Sequence, residues 1–184
     1  MCIRDSTWTN KLSVETINLE GEDIKELQLF KIELKTFSSI PQVLEIIDRS
    51  IPYAIIFSVH FKDNMYLSTS AKHAHPLNEN RAVIDWTFST SWFKNNTITK
   101  YQLNLKRSLD AVYKDFCLQV SGKMQLQSKS LNVLVENEQQ IHRLEKEIER
   151  LKSKIKKCKQ FNQKVALNME LQGKERELEK LIHN

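Results

Sequence analysis

Glycine, proline and cysteine are scarce in this sequence, which has three of each among 184 residues. So few glycines and prolines argue against collagen, a flexible linker array or a turn-rich all-β protein. The widely separated Cys2, Cys117 and Cys158 match neither a disulfide framework nor a zinc pattern, and we expect a reducing, cytoplasmic location. The longest nearly continuous apolar run, Ile51–Val59, is too short for a membrane helix, which needs about 20 residues. With no glycine-rich phosphate loop either, the sequence predicts no membrane contact, metal site or cofactor.

Charge is unevenly distributed along a chain that is 40% hydrophobic and 28% charged, a composition sufficient for a buried core. The formal net charge is +5, and residues 141–184 hold twelve Lys/Arg against seven Asp/Glu. Residues 1–140 contain 16 Lys/Arg and 16 Asp/Glu and are therefore neutral. Five lysines fall within eight positions that contain no acid: Lys152, Lys154, Lys156, Lys157 and Lys159. This change in composition predicts a boundary between Gly122 and Glu136.

The sequence pattern of residues 8–125 predicts one α+β domain. Apolar alternation or continuous apolar runs predict strands at 25–35, 53–59, 65–71, 81–90 and 101–105, with a polar loop at 73–80. Pro41, in a first turn, begins a predicted helix that ends near Arg49, and Ser108 and Gly122 are suited to cap a second helix. We therefore predict an antiparallel-rich mixed sheet packed against helices on one side.

The first residues are expected to lie outside this fold. The letters MCIRDS read like translated sequencing adapter, so we interpret residues 1–7 as an artefactual or disordered start and expect the natural amino terminus to be missing.

Residues 137–184 predict a helical hairpin that follows a connector at 126–136. Apolar residues in steps of three and four form a first heptad seam: Ile141, Leu144, Ile148, Leu151 and Ile155. A second seam is shifted in phase by two residues and consists of Leu167, Leu171, Leu178 and Leu181. A continuous helix would have to absorb this shift, whereas an antiparallel coiled-coil hairpin turning near residues 159–163 would not. We favour the hairpin and keep the continuous helix as the alternative.

Several segments together resemble a bacterial domain-of-unknown-function family, DUF4391. They are residues 8–35, Ile51-Pro52-Tyr53, Trp92-Phe93, Leu109–Tyr113 and residues 159–168. The resemblance covers nearly the whole chain after the first residues. It implies a further amino-terminal helical segment in other members, and it offers no catalytic motif to transfer. It also implies a genomic setting beside DNA methyltransferases and helicases of restriction-like defence loci.

The strongest enzymatic candidate is Glu33 and Lys35 on a strand with Asp23 upstream. A PD-(D/E)xK nuclease uses two acids to hold Mg²⁺ and a lysine to orient the attacking water. No turn signal lies between Asp23 and Glu33, and ten extended residues would separate them by about 30 Å. The preferred interpretation is therefore a charged, half-exposed strand, and no catalytic residue is assigned.

No functional role is assigned to the histidines or to two further acids, Asp85 and Asp110. His73 and His75, with His60 nearby, have no Cys or carboxylate at metal spacing, so they are predicted to be solvent-exposed loop residues. Asp85 alternates along a strand, and Asp110 suits the first turn of a helix.

We predict from this pattern a non-enzymatic accessory or adaptor protein that binds a protein partner through its coiled coil. The family resemblance suggests a methyltransferase or a helicase of a DNA-defence locus as that partner, and a homo-oligomer is left open. The first alternative is a nucleic-acid-binding module in which Lys152–Lys159 contact DNA phosphates, although no aromatic residue interrupts these lysines. The second alternative is a cryptic metal-dependent nuclease.

Overall fold

The chain forms two compact units in the computed structural model, which describes residues 3–183 apart from the side chains of residues 79, 80 and 183. One unit comprises the residues up to Leu131 and the other those from Asn132 onward. The strands are β1 (Ile3–Ser13), β2 (Glu26–Leu34), β3 (Ala54–Phe61), β4 (Asn64–His75), β5 (Asn78–Ser89) and β6 (Phe93–Lys94). The helices are α1 (Val14–Ile17), α2 (Pro41–Ser50), α3 (Leu109–Ser121), α4 (Leu131–Lys157) and α5 (Phe161–His183), with 3₁₀ turns at Asn95–Lys100 and Met124–Leu126.

A mixed sheet with strand order β1-β2-β3-β4-β5 forms the first unit, and β6 pairs with the start of β4. All pairs are antiparallel except β2 and β3, which run parallel and are joined by the crossover helix α2. Ile32 lies opposite Val59 in this parallel pair, and both side chains are fully buried. The predicted α+β fold with an antiparallel-rich sheet and a C-terminal hairpin is confirmed.

The two longer helices of this unit cover opposite faces of the sheet, not one side as the sequence suggests. Tyr66 and Lys72 of β4 contact α2, whereas Thr69 of the same strand contacts Tyr113 of α3. Successive strand residues point to opposite faces, so residues 66 and 72 share one face and residue 69 lies on the other. The crossover connection places α2 on the first face, and the later α3 covers the second.

Residues 3–7 belong to the sheet, which corrects the expectation that residues 1–7 lie outside the fold. They begin β1, which pairs with β2 from Ile3 opposite Leu34 to Ser13 opposite Glu26, with register shifts on the way. Backbone pairing holds this strand while most of its side chains are exposed. No apolar alternation therefore indicated it in the sequence. Residues 1 and 2, and Cys2 with them, lie outside the described residues.

The polar loop predicted at 73–80 is replaced by the end of a long hairpin. β4 continues to His75 and β5 begins at Asn78, with His73 opposite Val83. His73 Nδ1 lies 3.0 Å from Asp85 Oδ2 on the neighbouring strand. Both histidines are therefore strand residues with exposed side chains, or partly exposed in the case of His75.

The strand predicted at 101–105 does not form. The Gln119 side chain of α3 binds the backbone of Gln102 instead, accepting from its N–H at 2.8 Å and donating to its carbonyl at 2.9 Å. A single side chain thus satisfies the backbone groups that a neighbouring strand would otherwise pair with.

A buried ion pair fixes the end of α2 to the sheet. The Lys72 ammonium lies 2.6 Å from Asp48 Oδ1, and the two side chains are only 3% and 2% exposed. The same ammonium donates to the carbonyls of Asp48 and Ile51, each at 2.8 Å. All three N–H donors are satisfied, and they meet the carbonyl end of the helix, where a cation is favourable. Burial lowers the pKa of Lys72, and the nearby Asp48 carboxylate opposes that shift.

Helix α3 begins and ends as its sequence predicts and also holds the loop before β2. Ser108 accepts a hydrogen bond from Ala111 N, and Gly122 ends the helix at φ 72°. The Asp110 carboxylate accepts from the N–H groups of Glu22, Asp23 and Ile24 at 2.6–3.0 Å. A Cβ added to Gly21 would lie 2.1 Å from the carbonyl oxygen of Ile24, so this tight loop requires glycine.

Removing one member of the Lys72–Asp48 pair should destabilise the protein strongly. Lys72→Met leaves a buried carboxylate and two helix carbonyls unpaired, and we expect a loss of about 3–5 kcal/mol in the free energy of unfolding. Equilibrium unfolding in urea measures this loss. The half-exposed pair of Arg49 and Glu45 provides the matched control, because Arg49→Met should cost about 1 kcal/mol or less. Equal losses in the two variants would contradict the importance assigned to the buried pair.

The Asp110 contacts should make stability depend on pH. Burial alone would raise the pKa of Asp110, but the amides of Ile24, Glu22 and Asp23 outweigh it and lower the pKa below its ordinary value. Asp110→Asn should therefore lower the stability at pH 7 by about 1–2 kcal/mol. The difference from the unmodified chain should disappear as the pH falls through the lowered pKa, because both chains are then uncharged at this position. Thermal unfolding at pH 7 and below pH 3 tests this, and a pH-independent difference would contradict it.

Candidate functional site

The second unit is a helical hairpin, because ion pairs join residues far apart in sequence. Lys152 Nζ lies 2.9 Å from Glu175 Oε1, and Lys174 Nζ lies 3.1 Å from Glu147 Oε2. In one continuous helix, the Cα atoms of residues 152 and 175 would be about 35 Å apart. The chain between α4 and α5 reverses at residues 158–160, and α5 begins at Phe161. The alternative of a continuous helix is thereby excluded.

The two predicted seams differ in how completely they are buried. In α4, Ile141, Leu144, Ile148 and Leu151 are buried, and Ile155 near the turn is half-buried. In α5, every predicted seam residue is half-buried: Leu167, Leu171, Leu178 and Leu181. The hydrogen bond and attraction from Glu147 raise the pKa of Lys174, so the ammonium that joins the helices stays charged. The hairpin thus uses its seams largely to hold its own two helices together.

The turn of the hairpin concentrates positive charge. Residues 150–169, which we call the basic tip, contain seven Lys/Arg and no Asp/Glu. The other parts of the hairpin, residues 132–149 and 170–184, contain nine Asp/Glu and five Lys/Arg. Lys152 is engaged by Glu175, while the other four predicted cluster lysines have exposed side chains: Lys154, Lys156, Lys157 and Lys159. The structure therefore brings the predicted cations together at one end of the hairpin.

An exposed apolar stripe on α5 was not recognised in the sequence. Phe161, Val165 and Met169 are 79%, 43% and 70% exposed, and we call them the outer stripe. With 3.6 residues per turn, they lie roughly on the opposite side of α5 from the seam at Leu167 and Leu171. Their spacing of four residues was the available signal, but the heptad register of the neighbouring seam obscured it. Phe161 is the first residue of α5, two positions after Lys159, so an exposed aromatic side chain follows the lysine cluster directly in the chain although none interrupts it.

The residues of the nuclease alternative make other contacts. Glu33 Oε1 lies 2.9 Å from Lys31 Nζ, and this hydrogen bond lowers the pKa of Glu33. The backbone of Asp23 is bound by the carboxylate of Asp110, as described above. His60 is half-buried, and burial, reinforced by the charge of Lys31, lowers its pKa.

Residues 3–183 offer neither a metal-binding cluster nor a membrane-spanning helix. Among the residues that the structure describes, no group of three or more His, Cys, Asp and Glu side chains is arranged to hold a metal ion. None of the helices in this range combines the length and apolarity needed to cross a bilayer. Cys117 is fully buried, and burial raises the pKa of its thiol, so it is packed as an apolar residue.

Comparison with known proteins identifies one family. A family model described as "Domain of unknown function (DUF4391)" matches residues 3–178, which confirms the resemblance inferred from the sequence. No curated protein and no solved structure matches the chain.

Proposed function

The chain belongs to the DUF4391 family, whose description names no activity, and we propose from its own structure that it is a non-enzymatic adaptor. In this proposal, the C-terminal hairpin binds another protein. The observation that carries it is the outer stripe, which remains exposed after the seams of the hairpin have been used to join α4 to α5. An apolar face of this kind on a helix is the feature by which helical segments dock into grooves of partner proteins.

The charge beside the outer stripe defines the partner surface. Val165 and Met169 lie within the basic tip, and Lys164 is exposed next to them. A partner that fits this surface presents an apolar groove bordered by carboxylates. Opposite charges around such a groove accelerate association and exclude partners with basic surfaces.

The genomic association implied by the family resemblance supplies the candidate partners. We propose that the hairpin binds a DNA methyltransferase or a helicase encoded beside this gene. The protein would then act as an accessory subunit of a DNA-defence system, without carrying out the reaction itself.

Charging the outer stripe should abolish partner binding. Val165→Asp with Met169→Asp introduces two carboxylates on the apolar face, and we expect co-purification of the full chain with its co-expressed neighbour to fall at least tenfold. The matched control is Asn132→Asp with Gln140→Asp, which makes the same charge change at exposed positions of α4. The control should co-purify normally. Retained binding by the stripe variant, or no binding of either neighbour by the unmodified chain, would contradict the adaptor proposal.

A second function is favoured by the position of Phe161. This ring is exposed between Lys159 and Lys164, so a phosphate-binding surface also has an aromatic side chain on which a base can stack. The tip would then bind nucleic acid through phosphate contacts without reading its sequence.

Neutralising the lysine cluster tests this second function. Replacing all five cluster lysines with Gln should weaken DNA binding at least tenfold at 50 mM salt and flatten its dependence on salt, as measured by fluorescence anisotropy. A control of equal charge change replaces five exposed lysines outside the tip, namely Lys100, Lys106, Lys129, Lys146 and Lys180. Equal effects of the two variants would show that only overall charge matters and would exclude a tip-specific site.

A further inference from the structure

Three connections at one end of the sheet bring aromatic rings together in the first unit. Phe37 follows β2, Phe61 ends β3, and Trp92 lies between β5 and β6. The Phe37 ring centroid is 4.7 Å from that of Trp92 and 5.8 Å from that of Phe61. Tyr66 packs edge-on against Trp92 at 4.8 Å. We call Phe37, Phe61 and Trp92 the aromatic end.

The aromatic end packs on a buried side chain below and is exposed above. Tyr66 is only 5% exposed, and its hydroxyl accepts a hydrogen bond from Ile40 N at 3.2 Å. Phe37, by contrast, is 57% exposed although it contacts two other rings. Its connection is otherwise polar, with the sequence Lys35-Thr36-Phe37-Ser38-Ser39. Phe37 therefore packs against Trp92 with 39° between the two ring planes and is open to solvent on its other side.

An exposed lysine lies in or beside each of the three connections. They are Lys35, Lys62 and Lys94, and no ion pair engages them among the side chains that the structure describes. Asp63 is the one carboxylate in these connections. Cations around an exposed aromatic ring form a surface that attracts anionic, aromatic ligands.

Lys62 occupies a backbone conformation that lysine rarely adopts. Its φ is 53°, in the left-handed region that favours glycine and asparagine. The side chain places its ammonium 5.3 Å from the centroid of the Phe61 ring. A lysine at a backbone position that glycine or asparagine would occupy with less strain is consistent with a role for its charge beyond the turn itself.

We propose that the aromatic end binds single-stranded nucleic acid. An unpaired base stacks on Phe37, which is backed by Trp92, while Lys35, Lys62 and Lys94 contact the flanking phosphates. A protein partner fits this surface less well, because lysine is depleted at the centre of protein interfaces. The site shares no residue with the hairpin, so it is independent of both functions proposed above.

Binding is measured by fluorescence anisotropy with labelled single-stranded 15-nucleotide DNA and RNA of mixed sequence, each at 50 and 200 mM salt. All chains carry the five Lys→Gln changes of the hairpin tip, so that binding at the tip does not contribute. Phe37→Ala should weaken binding roughly 5- to 150-fold, the range expected for losing one stacked base. Comparing DNA with RNA identifies which of the two the site prefers.

Lys62→Asn separates binding from folding. Asparagine tolerates a positive φ better than lysine, so the melting temperature should be unchanged or higher, while oligonucleotide affinity falls. The triple variant Lys62→Asn, Lys35→Gln and Lys94→Gln should lower the slope of log affinity against log salt by about 2 relative to the tip-neutralised chain, since each phosphate contact on a single strand contributes about 0.7.

The matched control is Leu77→Ala, which removes a side chain that is 92% exposed in the turn between β4 and β5. It should leave oligonucleotide affinity unchanged. The proposal is overturned if the tip-neutralised chain binds neither oligonucleotide, or if Phe37→Ala binds as tightly as Leu77→Ala. It is also overturned if Phe37→Ala affects only co-purification with a protein partner, because the aromatic end would then be a protein interface.

Discussion

The fold of the first unit depends most on the buried contacts that the Lys72 ammonium makes with the end of α2. The sheet has one parallel pair, β2 with β3, and that pair requires the crossover helix α2 to lie flat against one face. Strand β4 holds both ends of this helix. Tyr66 accepts from the N–H of Ile40 at its start, and Lys72 binds the carboxylate of Asp48 and two carbonyls at its end. The same Tyr66 supports Trp92, so the fixing of α2 also positions the aromatic end.

Local patterns in the sequence were sufficient to predict the elements whose signals are themselves local. Ser108 and Gly122 mark the ends of α3 because capping acts within a few residues. The phase shift between the two apolar seams predicted the hairpin because two seams out of register cannot lie on one straight helix face. The strand β1 and the outer half of the β4–β5 hairpin were missed, because backbone pairing holds them while most of their exposed side chains are polar.

Contacts between distant segments account for what the sequence did not reveal about candidate sites. Asp48 and Lys72 are 24 residues apart, and nothing in either segment indicates that they will meet in the core. Phe37 lies in a polar connection, and its sequence context does not indicate that folding places Trp92 beneath its ring. In the hairpin, composition alone located the lysines, but the outer stripe became evident only once the seams were seen to face inward.

The separation of charge along the hairpin has a kinetic consequence. Its turn is strongly cationic, whereas the far portions of α4 and α5 carry an excess of carboxylates. Such an elongated dipole experiences a torque near an anionic object and rotates before contact is made, so encounters begin end-on with the turn leading. Dilute electrolyte strengthens this alignment, and at physiological ionic strength it acts only over the last 8 Å or so of the approach.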